Sequence, residues 1–230
     1  LATIFVDIKL KNDTPRLLAK MKESLPAVKV IGGTVSANIT EGGINYYGIS
    51  VTFSVFERSS VEILPVYWHD GDSQKIGKDM FKRLSGMKQL VAVGMYSSGY
   101  ALNIGPFFYE LSKLPPDIIF FGGIVVDDTV DSQGFVFTND DVIHRGHVMV
   151  AFRGSSLQVN IGYASGWRPL GKVMRITRLN DPNTVSEIDN IPVRLIYEKY
   201  LGISTWDEKF LHESVVFPFS LLRDGIPLSR

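Results

Sequence analysis

Apolar residues come in short bursts along the 230-residue chain, and the spacing within the bursts alternates between two periods. In "IFVDIKL", Ile4 to Leu10, they crowd together and are rich in β-branched side chains, which predicts a buried strand. From Thr14 they recur at helical spacing as Leu17, Leu18, Met21 and Leu25, with Thr14 placed as N-cap, Pro15 at the first helical position and Pro26 as a stop. "VKVIGG", Val28 to Gly33, then reads as a second strand.

The same order returns later in the chain. "LVAVGMY" predicts a strand, "NIGPFFYELSKLPP" a helix that buries Phe107, Phe108, Leu111 and Leu114, and "IIFFGG" another strand. Gly32-Gly33 and Gly122-Gly123 stand 90 positions apart, and Leu25-Pro26 and Leu114-Pro115 stand 89 apart. Two further strands follow in each half. "GISVTFSVF" corresponds to "GHVMVAFRG", and "RSSVEILPV" to "GSSLQVNIGY". In the first of these, Ile49, Val51, Phe53 and Val55 alternate with Ser50, Thr52 and Ser54, which predicts a sheet with one buried face.

Each half therefore reads β-α-β-β-β, over about residues 1–68 and 88–165, joined by a connecting helix at about 72–85 that buries Ile76, Met80, Phe81 and Leu84. Two sheets with one buried face each pack most simply face to face with helices outside, so the expected fold class is α/β, a four-layer αββα sandwich with pseudo-two-fold symmetry, followed by an α+β C-terminal segment. One continuous mixed sheet is the alternative.

Composition narrows the function. Twenty-four basic residues balance 24 acidic ones, so no net field draws nucleic acid or an anionic membrane surface. The absence of cysteine excludes disulfides, thiolate catalysis and sulfur-ligated zinc. No apolar run reaches the length of a membrane helix and no signal segment opens the chain, so a cytoplasmic protein without membrane insertion is expected.

Candidate chemistry gathers at the glycine pairs. Glycine lets the backbone approach a ligand and offer N–H groups to a carboxylate, so Gly32 and Gly33 with Thr34, and Gly122 and Gly123, are candidate binding residues; a tight strand exit is the plainer use. Asp127 and Asp128 beside such N–H groups would supply both signs of charge that an amino acid needs, or they cap a turn. In "GWRPLG", Trp167 offers an apolar wall and Arg168 a carboxylate fork, against the alternatives of a packing plug and a surface ion pair; Arg153 has the same ambiguity.

Metal and catalytic signatures are weak. Asp127, Asp128 and Asp131 lack the spacing of an EF-hand. His144 and His147 would point to opposite faces of a strand, and His69 with Asp70 and Asp72 reads as a turn before a helix. His212 carries no motif, and neither a Gly-x-Ser-x-Gly elbow nor a phosphate loop ending in Lys-Ser or Lys-Thr occurs. No catalytic residue, metal or cofactor is expected. An enzyme using Asp127, Asp128 or His144 as acid and base is the second reading. A protein-interaction scaffold with a contact helix in "PVRLIYEKYLG" is the third.

"GGIVVDD" with its following strands, "GWRPLG", "ITRLNDPNTVSEIDNIP" and "IYEKYLG" together resemble the FIST domain family, and "IGGTVSA", Ile31 to Ala37, falls where that family has a small-residue loop. The resemblance implies an N-terminal FIST sensory domain over residues 1–189 and, at 190–230, the start of a truncated C-terminal FIST domain. It also implies a small-molecule ligand, an amino acid or similar polar metabolite, whose occupancy is passed to a signalling output domain or protein of the kinase, cyclase or chemoreceptor type. Whether the molecule is a monomer or a homodimer stays open.

Overall fold

The computed structural model describes residues 1–68, 73–98, 104–125, 134–162, 171–181, 184–203, 205, 210, 216–223 and 226–229. The chain separates into two compact units, 1–161 and 162–230.

In the first unit the chain runs through β1 (Ala2–Asp7), a 3-10 helix (Ile8–Asp13), α1 (Thr14–Ser24), β2 (Val30–Val35), the short strands β3 (Asn38–Thr40) and β4 (Gly43–Asn45), β5 (Ile49–Phe53) and β6 (Ser60–Tyr67). It continues through α2 (Ser73–Ser85), β7 (Leu90–Ser98), α3 (Gly105–Leu111), β8 (Ile119–Val125), β9 (Val136–Thr138), β10 (Val142–Ile143) and β11 (Gly146–Arg153). Pro15 lies in the first turn of α1, but Thr14 is not its cap: the 3-10 helix runs directly into α1, the N-cap position falls on Asp13, and the Thr14 side chain is buried.

Two sheets form, ordered β10-β9-β2-β1-β5 and β6-β11-β7-β8. Strand alternation sorts their side chains into three apolar layers. On the outer face of the first sheet, Ile4, Val6, Val30 and Phe137 pack with Leu18 of α1. Between the sheets, Ile31, Val136 and Ile143 meet Val125, Val148 and Val150. On the outer face of the second sheet, Leu64, Val93, Met95 and Met149 pack with Met80 and Leu84 of α2 and with Phe107 and Leu111 of α3. The order helix, sheet, sheet, helix is thus an αββα sandwich. Each fully buried large side chain, such as Phe137 or Phe107, contributes about 2 to 3 kcal/mol through removal from water.

The parallel pairs are β1 with β2 and β7 with β8, and each has an antiparallel strand on its other side, β5 on β1 and β11 on β7. The reading that each half keeps its strands to itself needs correction. β6 crosses over to pair with all eight residues of β11, a longer ladder than the five-residue β5 can offer. β9 in turn joins the first sheet beside β2. Residues 155–162, expected to form a strand like β6, form none, because both edges of β11 are already taken by β6 and β7.

β5 brings a second correction. Its alternation is real, since Ile49, Val51 and Phe53 share the outer face with Val6, Ile4 and Ala2, yet all three are exposed. β5 is the edge strand, and the layer under α1 is built on β1, β2 and β9. Phe108 likewise faces out of α3, while Phe107, Leu111 and Leu114 are buried as expected.

The second unit contains a three-stranded sheet, β12 (Ile176–Asp181), β13 (Thr184–Ile188) and β14 (Ile191–Pro192). After it come α4 (Val193–Leu201) and a hairpin of β15 (Ser220–Arg223) and β16 (Ile226–Ser229). Ile196 is the buried residue of α4, and Tyr197 packs edge-on against Phe210 and Phe219.

Candidate functional site

The carboxyl ends of the parallel strands are where an α/β sheet leaves room for a ligand, because the chain departs there in loops while the strand ends hold polar groups in fixed positions. β1 ends at Asp7, β2 at Val35, β7 at Ser98 and β8 at Val125. β2 crosses the second sheet: Lys29, just before it, donates to the carbonyl of Val61 in β6, while Gly33 near its end lies against Val125 of β8. The ends of β2 and β8 therefore meet.

At that meeting point the packing is close. A Cβ on Gly33 would lie 2.7 Å from Cγ2 of Val125, and one on Gly134 would lie 3.0 Å from Oγ1 of Thr34. Thr34 is fully buried, and its hydroxyl accepts a 3.1 Å hydrogen bond from the Phe135 amide. Gly32 and Gly33 are not at the exit of β2 but inside it, flanked by β1 on one side and β9 on the other. Their lack of a side chain admits Phe137 and Val125, which is a packing use.

The second glycine pair sits differently. Gly122 and Gly123 lie in β8, the edge strand of its sheet, and both are exposed. Gly122 has φ +141°, a backbone conformation that a side chain opposes, and a Cβ there would fall 1.8 Å from the Met95 carbonyl oxygen. Around Gly123 a Cβ would meet nothing within 4 Å. β8 thus has an outer edge that no described strand pairs, and Gly123 stands on it two residues before its end.

Asp127, Asp128, Trp167 and Arg168 lie outside the described residues, as do His69, Asp70, Asp72, Asp131 and His212. Thr34, Gly33 and the end of β8 are brought together; Gly32 faces Phe137 on the opposite side of its sheet. His144 packs on the ring of Phe135, whereas His147 lies between Trp68 and Phe107 on the helix face of the second sheet. Among the described residues no three metal-ligating side chains cluster.

Sequence reasoning passed over a second set of groups. Among the described residues, the buried side-chain polar atoms that lack a hydrogen-bond partner are Oδ2 of Asp7, Oγ1 of Thr14, Oγ of Ser97 and both ring nitrogens of His147. Asp7 and Ser97 stand at the carboxyl ends of β1 and β7, Thr14 begins the helix after β1, and His147 is the cross-strand neighbour of Ser97. Unpartnered buried polar atoms cost stability and call for a reason, and a ligand is one. Burial pushes the His147 imidazole down to about 4, so it is neutral over the physiological range. Burial also raises the Tyr96 phenol, whose ring meets Phe5 between the sheets. The signal in the sequence is a polar residue closing an apolar strand, as in "IFVD" and "GMYSS".

A family model of the FIST N domain matches residues 1–191. No curated protein matches the chain. No helix among the described residues is long and apolar enough to cross a membrane.

Proposed function

The chain belongs to the FIST family of sensory-type domains in signalling proteins, and on that premise we propose that it binds a small polar metabolite, in the first instance an amino acid. Occupancy is then read by an output module such as a kinase, a cyclase or a chemoreceptor. The observation that carries this reading is the set of unpartnered buried polar atoms on Asp7, Thr14, Ser97 and His147 near the carboxyl ends of β1 and β7. A zwitterion needs donors for its carboxylate and acceptors for its ammonium. Open backbone at Gly123 supplies donors, and Asp127 and Asp128, which follow β8 in the chain, supply acceptors. Thr34 is the candidate beside the first glycine pair, and Trp167 and Arg168 are the candidates for an apolar contact and a carboxylate-binding guanidinium. In this reading the two β-α-β stretches are copies whose strand ends share the ligand.

Binding without turnover distinguishes this function from the acid-base enzyme. The test is thermal unfolding of the chain against the common amino acids and small dicarboxylates, alone and with Asp128→Asn. A ligand at one hundred times its dissociation constant stabilises the folded state by about 2.7 kcal/mol. A shift that Asp128→Asn abolishes supports the reading. A panel without a shift, or a shift accompanied by chemical conversion of the ligand, overturns it.

A further inference from the structure

At the opposite end of β7 lies a cleft of about 330 Å³ lined by Glu57, Arg58, Ser59, Ser60, Lys88, Gln89, Arg153 and Gly154. Strand β7 has nine residues, so the cleft is roughly 25 to 30 Å from the strand ends discussed above. It joins two stretches that the sequence repeats, "RSS" at Arg58 to Ser60 and "RGSS" at Arg153 to Ser156, because Arg153 and Ser60 are paired at the last rung of β11 and β6.

Three cations and one carboxylate line this cleft in a chain whose total charge is zero. Arg153 is fixed in place: its Nε donates 3.0 Å to the Lys88 carbonyl, and a guanidinium nitrogen lies 3.7 Å from Glu62, which Arg83 also engages. Arg58 and the Lys88 ammonium have no hydrogen-bond or ion-pair partner among the described residues. Like charges held around one cavity repel, and an anion between them relieves that repulsion.

The backbone is shaped to keep the cleft open. The ladder between β11 and β7 shifts register between Phe152 and Arg153, and such a bulge re-aims the side chain that follows it. Gln89 adopts φ 58°, a conformation that a non-glycine residue holds only against a cost, and its carbonyl accepts from the Gly154 amide. Gly154 comes so close to Ser59 that a Cβ would lie 2.7 Å from its hydroxyl. Among the described residues the lining otherwise consists of hydroxyl and amide groups, Ser59, Ser60 and Gln89, with no aromatic or aliphatic wall.

We propose that this cleft is a second ligand site, for a phosphate group carried by a small metabolite or present as the free ion. Three cations suit a dianion better than a single carboxylate does, and hydroxyl donors suit a tetrahedral group of acceptor oxygens. The site is independent of the amino-acid reading, since none of its residues belongs to that site.

The experiment is isothermal titration of the chain with inorganic phosphate, glycerol phosphate and succinate at constant ionic strength set with chloride. Arg58→Gln and Lys88→Gln are compared with the parent chain, and unfolding without ligand confirms that both variants fold. Saturable binding of phosphate or glycerol phosphate is expected, weakened roughly tenfold or more by each variant, as loss of a charge-assisted contact implies. Binding should also fall as the pH drops below about 6, where a phosphate monoester takes up its second proton. Tighter binding of glycerol phosphate than of phosphate identifies a metabolite, and the reverse identifies the free ion. Heat no different from that of chloride, preference for succinate, or phosphate binding that both variants leave unchanged overturns the proposal.

Discussion

Gly32 of β2 lies directly under the ring of Phe137 in β9: a Cβ built on it would stand 2.5 Å from Cζ of that ring and 2.0 Å from the carbonyl oxygen of Ile4. The second contact is the harder one, because it is backbone and cannot rotate away. Gly32→Ala should therefore destabilise the first unit by about 3 kcal/mol or somewhat more, at the top of the overpacking range. Gly33→Ala meets the Val125 methyl first, at 2.7 Å, with the nearest backbone oxygen at 3.3 Å, so it should cost less. Urea unfolding of the two variants checks the order, and equal losses would remove the backbone contact as its cause.

His147 makes the stability depend on pH in a calculable direction. Its ring centroid is 5.0 Å from those of Trp68 and Phe107, and neither nitrogen has a partner, so the folded state resists its protonation. The unfolded imidazole titrates near 6.5 and the folded one at about 4, so the unfolded chain binds the proton first as pH falls. The contribution of His147 is complete above 6.5, declines through the interval and is gone below 4. The whole loss is about 3 kcal/mol at 1.36 kcal/mol per pH unit. His147→Leu should flatten the stability curve across that interval; an unchanged slope would mean that other groups control it.

The parts of this fold legible in the sequence are those set by local chemistry. The helix stripe of Leu18 and Met21, the connecting helix ending before Gly86 and the strand of Val148 and Val150 follow from period and punctuation. Partner choice between distant strands did not follow. Nothing in "RSSVEILPV" says that it pairs with Gly146 to Arg153 of the other half rather than with β5, because both edges would accept the same alternation. The exposure of β5 is hidden from the sequence for a related reason: alternation marks a face, but only the extent of the covering helix decides whether that face is dry. The glycine pairs were visible at once, yet Gly32 and Gly33 serve packing while Gly123 stands open, a difference that depends on which strand is an edge.

In the second unit, Gly202 ends α4 with φ 67°, and its amide donates to the Glu198 carbonyl. A left-handed C-terminal position of this kind costs a side chain about 1 kcal/mol. Its Cβ would meet nothing within 4 Å, so the conformational cost is isolated from crowding. Gly202→Ala should lower the stability of this unit by about that amount and leave the first unit unaffected. Hydrogen exchange of the α4 amides resolves it, and protection unchanged from the parent would show that the helix end is held by something other than its cap.

Ser97 offers the sharpest separation of stability from function. Its hydroxyl is buried at the end of β7 with no partner among the described residues, opposite a neutral His147, so the folded chain bears the loss of its hydration without return. Ser97→Ala removes one buried polar atom and leaves almost no void. The variant should be more stable than the parent by about 1 kcal/mol, the lower end of what an unsatisfied buried group costs. If the hydroxyl is kept for a ligand at the strand ends, the same variant should bind that ligand roughly tenfold more weakly, since one hydrogen bond is then lost from the complex. Thermal unfolding with and without the amino acid identified by screening measures both effects in one experiment. Higher intrinsic stability together with a smaller ligand-induced shift supports the binding role, whereas higher stability with an undiminished shift would place Ser97 outside the site.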